Sequence, residues 1–438
     1  MRTSIFGLGY VGCVTAACLA RDGHTVIGVD LNRQKAEMVG AGQSPVEEPG
    51  LDALIKEVVR SGNLKVNFDS QAAVLESQVS LICVGTPSNS NGSLNLQYIE
   101  NVCGEIGKAL ATKPDYHVVV IRSTVLPGSV EEKLIPILEQ HSGRRAGVDF
   151  GVCANPEFLR ESSAINDYIH PSFILIGELD QRSGDTVQAL YASVDAPVIR
   201  TTIQNAQMVK YASNAFHAVK VTFANEIGNL CKVHGMNGQQ VMEIFGQDRQ
   251  LNISPAYLKP GFAFGGSCLP KDLRALLYRA KERDVECSLL SSVLPSNQKQ
   301  VELGIKLVER TGKKQVGILG LSFKAGTDDL RESPAIILAE TLLGRGYQIR
   351  IFDETVQLTR LVGANKSYVE KELPHIASLM SPSIEQLVAQ SEVLIVTSNS
   401  KSFRQIPQMI QAHQTLIDLV GISNGDKQTQ ATYQGICW

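Results

Sequence analysis

Six residues near the start of the chain, Gly7-Leu8-Gly9-Tyr10-Val11-Gly12, restrict its fold more than any other feature. This Gly-x-Gly-x-x-Gly follows a strand-like run, Thr3-Ser4-Ile5-Phe6, and opens a helix predicted over residues 9–22, with Gly23 as a C-cap. A second strand-like run ends in Asp30, 18 residues past Gly12. In that setting Gly7 permits a tight turn. Gly9 lets a pyrophosphate approach the backbone at a positive helix N-terminus, and Gly12 lets the helix pack on the sheet. A carboxylate at Asp30 would bond the adenosine ribose hydroxyls and repel a 2′-phosphate, which favours NAD over NADP. Arg33 and Lys35 keep NADP open, and a glycine-rich turn without a ligand is the bland alternative.

Further apolar runs at residues 79–84, 117–123, 150–154 and 173–177, separated by amphipathic stretches, predict a parallel sheet covered by helices. From 201 to 234 there is no proline and only one glycine, which predicts a helix of about 50 Å, long enough to link two domains. Residues 235–272 are rich in Gly and Pro and read as helix followed by ordered loop. The strand–helix rhythm then returns, with strands at 315–320, 348–353, 393–397 and 415–420 and a helix at 333–343 with Pro334 in its first turn. The expected fold is α/β: two Rossmann-like, doubly wound parallel-sheet domains joined by a long central helix. The expected boundaries are 1–200 for dinucleotide binding, 201–300 for a helical connector carrying a reactive loop, and 301–438 for the second sheet. No strong sequence repeat is present.

The 438 residues allow two or three domains at about 150 residues each. Lys plus Arg number 41 against 44 for Asp plus Glu, a net charge of −3, with no basic run, so no nucleic-acid footprint is expected. No apolar run reaches the ~18 residues of a membrane helix and no leader is evident, so a cytoplasmic protein is expected. The nine cysteines include no Cys-x-x-Cys pair, which argues against a zinc site or a disulfide framework and for packing thiols.

Two strand ends carry short polar turns containing Thr86 and Thr124, both directed at the cofactor crevice of such a sheet. Turn chemistry alone also accounts for them. On the long helix, Lys210, Asn214, His217 and Asn225 fall within a sector of about 80°. Apolar neighbours on several sides, among them Val209, Phe216 and Phe223, point to a buried helix in which these polar groups need partners. The alternative is a solvated helix face.

Cys268 stands apart from the other cysteines, in Gly265-Gly266-Ser267-Cys268-Leu269-Pro270-Lys271-Asp272. The glycines let backbone approach a ligand, and Lys271 and a following helix N-terminus would favour a thiolate. A nucleotide cofactor and a nucleophilic thiol together suggest an alcohol oxidised to an aldehyde, trapped as a thiohemiacetal, oxidised again and hydrolysed as a thioester. Glu157, Glu161 and Asp272 are candidate bases, each also readable as a helix-start carboxylate. A non-catalytic nucleotide-sugar or NAD sensor with a redox-active thiol is the reading from another class.

At these residues the chain resembles the UDP-glucose/GDP-mannose dehydrogenase family. The resemblance runs nearly its whole length and includes Asn155-Pro156-Glu157-Phe158 and Asp328-Asp329-Leu330-Arg331. It implies a four-electron oxidation of a nucleotide sugar at its C6 alcohol by two NAD⁺, with no metal. It implies Cys268 as nucleophile, Lys210 and Asn214 at the oxyanion and thiohemiacetal, Glu161 near the reacting carbon, and Thr124 with Asp272 ordering water. Tyr10, Val11, Asp30, Lys35, Thr86, Thr124 and Arg331 would contact NAD. His217, Asn225, Tyr257, Lys259, Phe262, Gly265 and Lys324 would contact the sugar nucleotide, together with Glu161, Lys210 and Asn214. Residues 262–265, 217–229 and 435–438 look like the branch that oxidises GDP-mannose to GDP-mannuronate for alginate, with UDP-glucose the alternative substrate. Lys259 and Ala256 depart from that branch, which carries arginine and an aromatic residue there. The resemblance further implies a homodimer or higher homo-oligomer built on the long helix, with sites shared between subunits.

Overall fold

The computed structural model describes residues 1–233, 235–249, 257, 259–282, 284, 287–356, 366–367, 369, 371, 375–422 and 431–438; Ala256 lies outside them. Two compact units, Met1–Ser213 and Asn214–Trp438, divide the chain inside one continuous helix, Ile203–Val233. Its 31 residues make it about 46 Å long.

The first unit is built on eight strands: β1 (Arg2–Phe6), β2 (Thr25–Val29), β3 (Leu64–Val66), β4 (Val79–Ile82), β5 (Val118–Ile121), β6 (Gly151–Ala154), β7 (Ile174–Glu178) and β8 (Val198–Thr202). Their order is β3-β2-β1-β4-β5-β6-β7-β8. All neighbours are parallel except β6 and β7, which pair antiparallel. Strand residues alternate between two cores, one on each face. Val118 and Val120 enter one, Val119 and Ile121 the other. Burial on both faces is why these strands are continuous apolar runs. The order reverses between β1 and β4, so the crevice for a ligand opens beyond their carboxyl ends, where Gly7 and Cys83 lie.

The second unit has five parallel strands: β9 (Gln315–Leu319), β10 (Gln348–Phe352), β11 (Val393–Val396), β12 (Thr415–Asp418) and β13 (Thr432–Gly435), in the order β10-β9-β11-β12-β13. Its first crossover repeats that of the first unit bond for bond. Gly7 N donates to Val29 O at 2.8 Å, and Gly320 N to Phe352 O at 2.8 Å. Leu8 N donates to Asp30 Oδ2 at 2.6 Å, and Leu321 N to Asp353 Oδ2 at 2.7 Å. In the second copy more donors converge on the acid. Asp353 also accepts from the amides of Ser322, Thr355 and Val356 and from the Thr355 hydroxyl. A loop then runs to the helix Pro334–Gly344 where the first copy has the glycine-rich turn. Among the described residues no helix is long and apolar enough to cross a membrane.

One buried network in the first sheet makes stability depend on pH. His117 is fully buried between Ser80 Oγ, 2.8 Å from Nε2, and Ser77 O, 3.2 Å from Nδ1; the carbonyl requires the proton on Nδ1. Burial, with the Lys113 charge second, pushes its pKa down to about 3. The unfolded chain therefore takes up a proton near the ordinary value of ~6.5 that the folded chain refuses, and stability falls as pH drops below that value. From about pH 7 to about pH 5 the expected cost from this residue is about 2 kcal/mol. Urea unfolding of the protein and of His117→Asn measures it as a shallower pH slope in the variant.

Candidate active site

In the first unit the glycine-rich turn behaves as its spacing predicts. Gly7 has φ 96°, open to glycine at no steric cost. A Cβ on Gly12 would lie 1.8 Å from Gly7 O, so the helix Tyr10–Arg21 packs as it does only with glycine there. A Cβ on Gly9 would meet nothing within 4 Å. No protein atom demands that glycine, and the open space at the helix N-terminus is the room a pyrophosphate needs. Asp30, beyond β2, accepts from Leu8 N and, at 2.7 Å, from Asn32 N, and remains half-buried. It shapes the turn from behind. Lys35 lies on the helix that Asn32 caps. Thr86 Oγ1 donates to Thr124 O at 2.8 Å, tying together the two polar turns at the ends of β4 and β5.

Beyond β6, Glu157 and Lys210 form an ion pair of 3.0 Å, with side chains 9% and 6% exposed. Glu157 also accepts from Leu159 N at 2.6 Å, and the Lys210 ammonium lies 5.5 Å from the Phe158 ring centre. Glu161 is half-buried on the following loop. That loop is held by Glu48, a buried carboxylate that accepts from the Ser162 and Ala164 amides, each at 2.8 Å, and from the Tyr10 hydroxyl. Burial, reinforced by Glu48 and the charge of Glu161, raises the Tyr10 phenol far above its usual range. Below the pair, the buried guanidinium of Arg122 binds Thr15 Oγ1, Asn155 Oδ1 and Tyr191 OH at 3.1, 2.7 and 3.1 Å. It fixes the start of the Asn155-Pro156-Glu157 segment.

In the second unit Cys268 precedes the helix Leu269–Glu282, and its carbonyl accepts the first-turn amide of Asp272 at 2.9 Å. The thiol is exposed, whereas seven of the other cysteines are buried and Cys287 is half-buried. Burial pushes Cys18, Cys83, Cys103 and Cys153 up to about 12, which keeps them inert. At Cys268 the helix N-terminus favours negative charge instead. Asp272 is 2% exposed and is held by Asn214 Nδ2 at 2.5 Å and Lys271 Nζ at 2.7 Å. The loop before the thiol is clamped along its backbone. Asn297 donates to Phe264 O at 2.8 Å and accepts from Phe264 N at 2.9 Å, and Gln300 Nε2 donates to Gly261 O at 2.5 Å.

The stripe residues divide by role. Lys210, Asn214 and Asn225 are buried and His217 half-buried. Asn225 is spent on the loop: its oxygen accepts from Gly261 N at 2.9 Å and its nitrogen donates to Phe262 O at 3.3 Å. His217 stacks on Tyr257, ring centres 4.6 Å apart. Lys259 and Lys324 are exposed, Phe262 is half-buried and Gly265 buried. Arg331 pairs with Asp329 through Nε at 2.9 Å and Nη2 at 2.6 Å. The expectation of a helix buried nearly all round is corrected on one face: Val209, Phe216 and Phe223 are 39%, 43% and 43% exposed. Apolar periodicity does not separate a face packed within the chain from one left open. Sequence reasoning also missed Glu48, Arg122, Asn297 and Asp353. Only Asp353 carried a signal, an acid closing a strand that follows a Gly-Leu turn, as Asp30 does.

Residues 1–195 match the NAD binding domain of the UDP-glucose/GDP-mannose dehydrogenase family, 204–299 its central domain and 317–424 its UDP binding domain. The chain belongs to this family. Among family members, GDP-mannose 6-dehydrogenases of Pseudomonas putida and Pseudomonas aeruginosa are each 52% identical over 438 residues, covering 100% of both chains. A UDP-glucose 6-dehydrogenase of Haloferax volcanii is 37% identical over 361 residues, 81% of this chain and 83% of its own. Among solved structures of the family, a UDP-glucose dehydrogenase from Pyrobaculum islandicum aligns with a TM-score of 0.90 at 33% identity, covering 100% of this chain and 98% of that one. A ternary complex of GDP-mannose dehydrogenase from Pseudomonas aeruginosa aligns at 52% identity over 100% of both chains, with a TM-score of 0.58.

Proposed function

We propose that this chain oxidises the C6 alcohol of GDP-mannose to the carboxylate of GDP-mannuronate with two NAD⁺, through a thioester on Cys268, as a cytoplasmic step towards a uronate polymer of the alginate type. The observation that carries the reading is the thiol: exposed, on a loop whose backbone is clamped by Asn225, Asn297 and Gln300, at a helix N-terminus, in a chain with an open dinucleotide turn. The substrate rests on the full-length 52% identity to GDP-mannose 6-dehydrogenases. Seven of the nine cysteines are buried as packing thiols, which fits a reducing compartment.

Bound NAD⁺ would supply the hydride acceptor for each oxidation. Gly7, Gly9, Tyr10, Val11, Gly12, Asp30, Lys35, Thr86, Thr124 and Arg331 would hold it. The protein's own residues do the rest. The Cys268 thiolate adds to the C6 aldehyde carbon, and the new alkoxide is offset by the Lys210 ammonium and the Asn214 amide. After the second oxidation, water adds to the thioester carbon and the C–S bond breaks, returning the thiolate. Asp272 with Thr124 orients that water, and Glu161 serves as the carboxylate beside the reacting carbon. Overall the alcohol and one water yield a carboxylate, two hydrides and three protons. His217, Tyr257, Lys259, Phe262, Gly265 and Lys324 bind the nucleotide sugar, and Asn225 contributes by holding the loop. Measuring kcat/KM for GDP-mannose and UDP-glucose in parallel tests the substrate. A preference of at least about tenfold for GDP-mannose, only ~1.4 kcal/mol, is expected, and the reverse preference overturns it.

The exposed face of the long helix fits a second copy of the chain. Val209, Phe216 and Phe223 recur every seven residues, drifting about 20° per repeat, and Phe223 lies 5.9 Å from Phe245 on the next helix. Phe216→Asp is expected to halve the mass seen by light scattering; an unchanged mass places the contact elsewhere.

A further inference from the structure

The glycines before Cys268 are pressed against a turn that ordinary residues avoid. Glu332 stands at φ 52°, a left-handed conformation unusual for a residue with a side chain. Its carbonyl oxygen approaches Gly265 so closely that a Cβ there would lie 2.3 Å away. Gly266, at φ 88°, lies against the Phe323 ring, 2.8 Å from where its Cβ would be. The thiol loop is thus seated on residues 323 and 332. The Glu332 side chain is itself anchored. Arg274 Nη1 donates to Oε2 at 2.9 Å and Nη2 donates to Oε1, a two-pronged pair of the kind a planar guanidinium makes with a carboxylate. Arg274 lies on the helix that Cys268 precedes, two residues after Asp272. The pair closes a circuit: thiol, helix, Arg274, Glu332, Gly265, and back to the thiol.

We infer that Arg274 and Glu332 are positioning residues that hold Cys268 at the N-terminus of its helix. The inference rests on the proposed role of that thiol. The side chains are 35% and 37% exposed, and ion pairs so open to water contribute little to global stability. The pair's distinctive effect is therefore on the thiol rather than on the fold. Lysine at 274 keeps the charge and loses the second prong. Glutamine at 332 keeps the shape and loses the charge. Either change frees the Glu332 turn to relax, withdraws support from Gly265 and lets the thiol leave the helix end that favours its thiolate.

The test is the rate at which iodoacetamide alkylates Cys268 in the full-length protein without substrates, followed on the Cys268 peptide by mass spectrometry, with kcat for uronate formation measured alongside. Glu332→Gln and Arg274→Lys are each expected to slow alkylation and kcat at least fivefold with little change in melting temperature. The exchanged pair Arg274→Glu with Glu332→Arg is expected to recover at least half of both rates, which a merely structural effect of the single changes would not do. Alkylation and turnover within twofold of the parent in both single variants overturn the inference. Cys268→Ser, assayed beside them, separates the two ideas. If it still forms uronate at the parent rate, the thioester reading fails; if it is inactive while both pair variants are normal, only the positioning role fails.

Discussion

Cys268→Ser is expected to lower uronate formation by at least about a thousandfold while leaving GDP-mannose binding nearly intact. The substitution replaces one sulfur by oxygen at an exposed position, so packing hardly changes. At neutral pH a serine hydroxyl without a dedicated base is a far weaker nucleophile than a thiolate at a helix N-terminus. The first oxidation does not need the thiol and the second does, so the variant should stall near one NADH per sugar and accumulate aldehyde. Trapping that aldehyde with a hydrazine checks the assignment. Uronate at more than about a tenth of the parent rate would remove Cys268 from the covalent step.

The second large effect concerns Lys210. Its pair with Glu157 is among the least exposed in the first unit, and breaking such a pair leaves an uncompensated buried charge. Lys210→Met is expected to cost about 3–5 kcal/mol of stability and to slow turnover about a hundred- to a thousandfold. The double variant Lys210→Met/Glu157→Leu tells the two losses apart. It should regain most of the stability, because an apolar pair of similar volume is often neutral, and none of the rate. Urea unfolding and steady-state kinetics on the three proteins measure both. Recovery of turnover in the double variant would assign Lys210 to the fold alone.

The sequence was most legible where a residue's own backbone sets the demand. Gly7 and Gly12 have no alternative, one for its φ and one for the carbonyl a Cβ would strike, and such needs show in the local pattern. The long helix was visible in its lack of proline and its single glycine, and Cys268 in a loop unlike the settings of the other cysteines. Strands β3, β8 and β13 were not foreseen, since each is short or alternates with polar residues at or near a sheet edge. The antiparallel turn of β7 was not foreseen either, because an apolar run carries no direction. Partnerships across the chain were the least visible. Glu157 and Lys210 lie 53 positions apart, Glu48 and Ala164 116, and Arg122 and Thr15 107. No spacing rule joins such pairs before the sheet order is known. The open face at Val209, Phe216 and Phe223 was misread for a related reason: its apolar character is local, and what covers it is not.

The central claim is a four-electron oxidation passing through Cys268, and counting electrons tests it most directly. With GDP-mannose limiting and NAD⁺ in excess, the NADH formed per sugar nucleotide consumed is predicted to be close to two, with GDP-mannuronate as the product. A ratio of one, with aldehyde as the product, would contradict the thioester route.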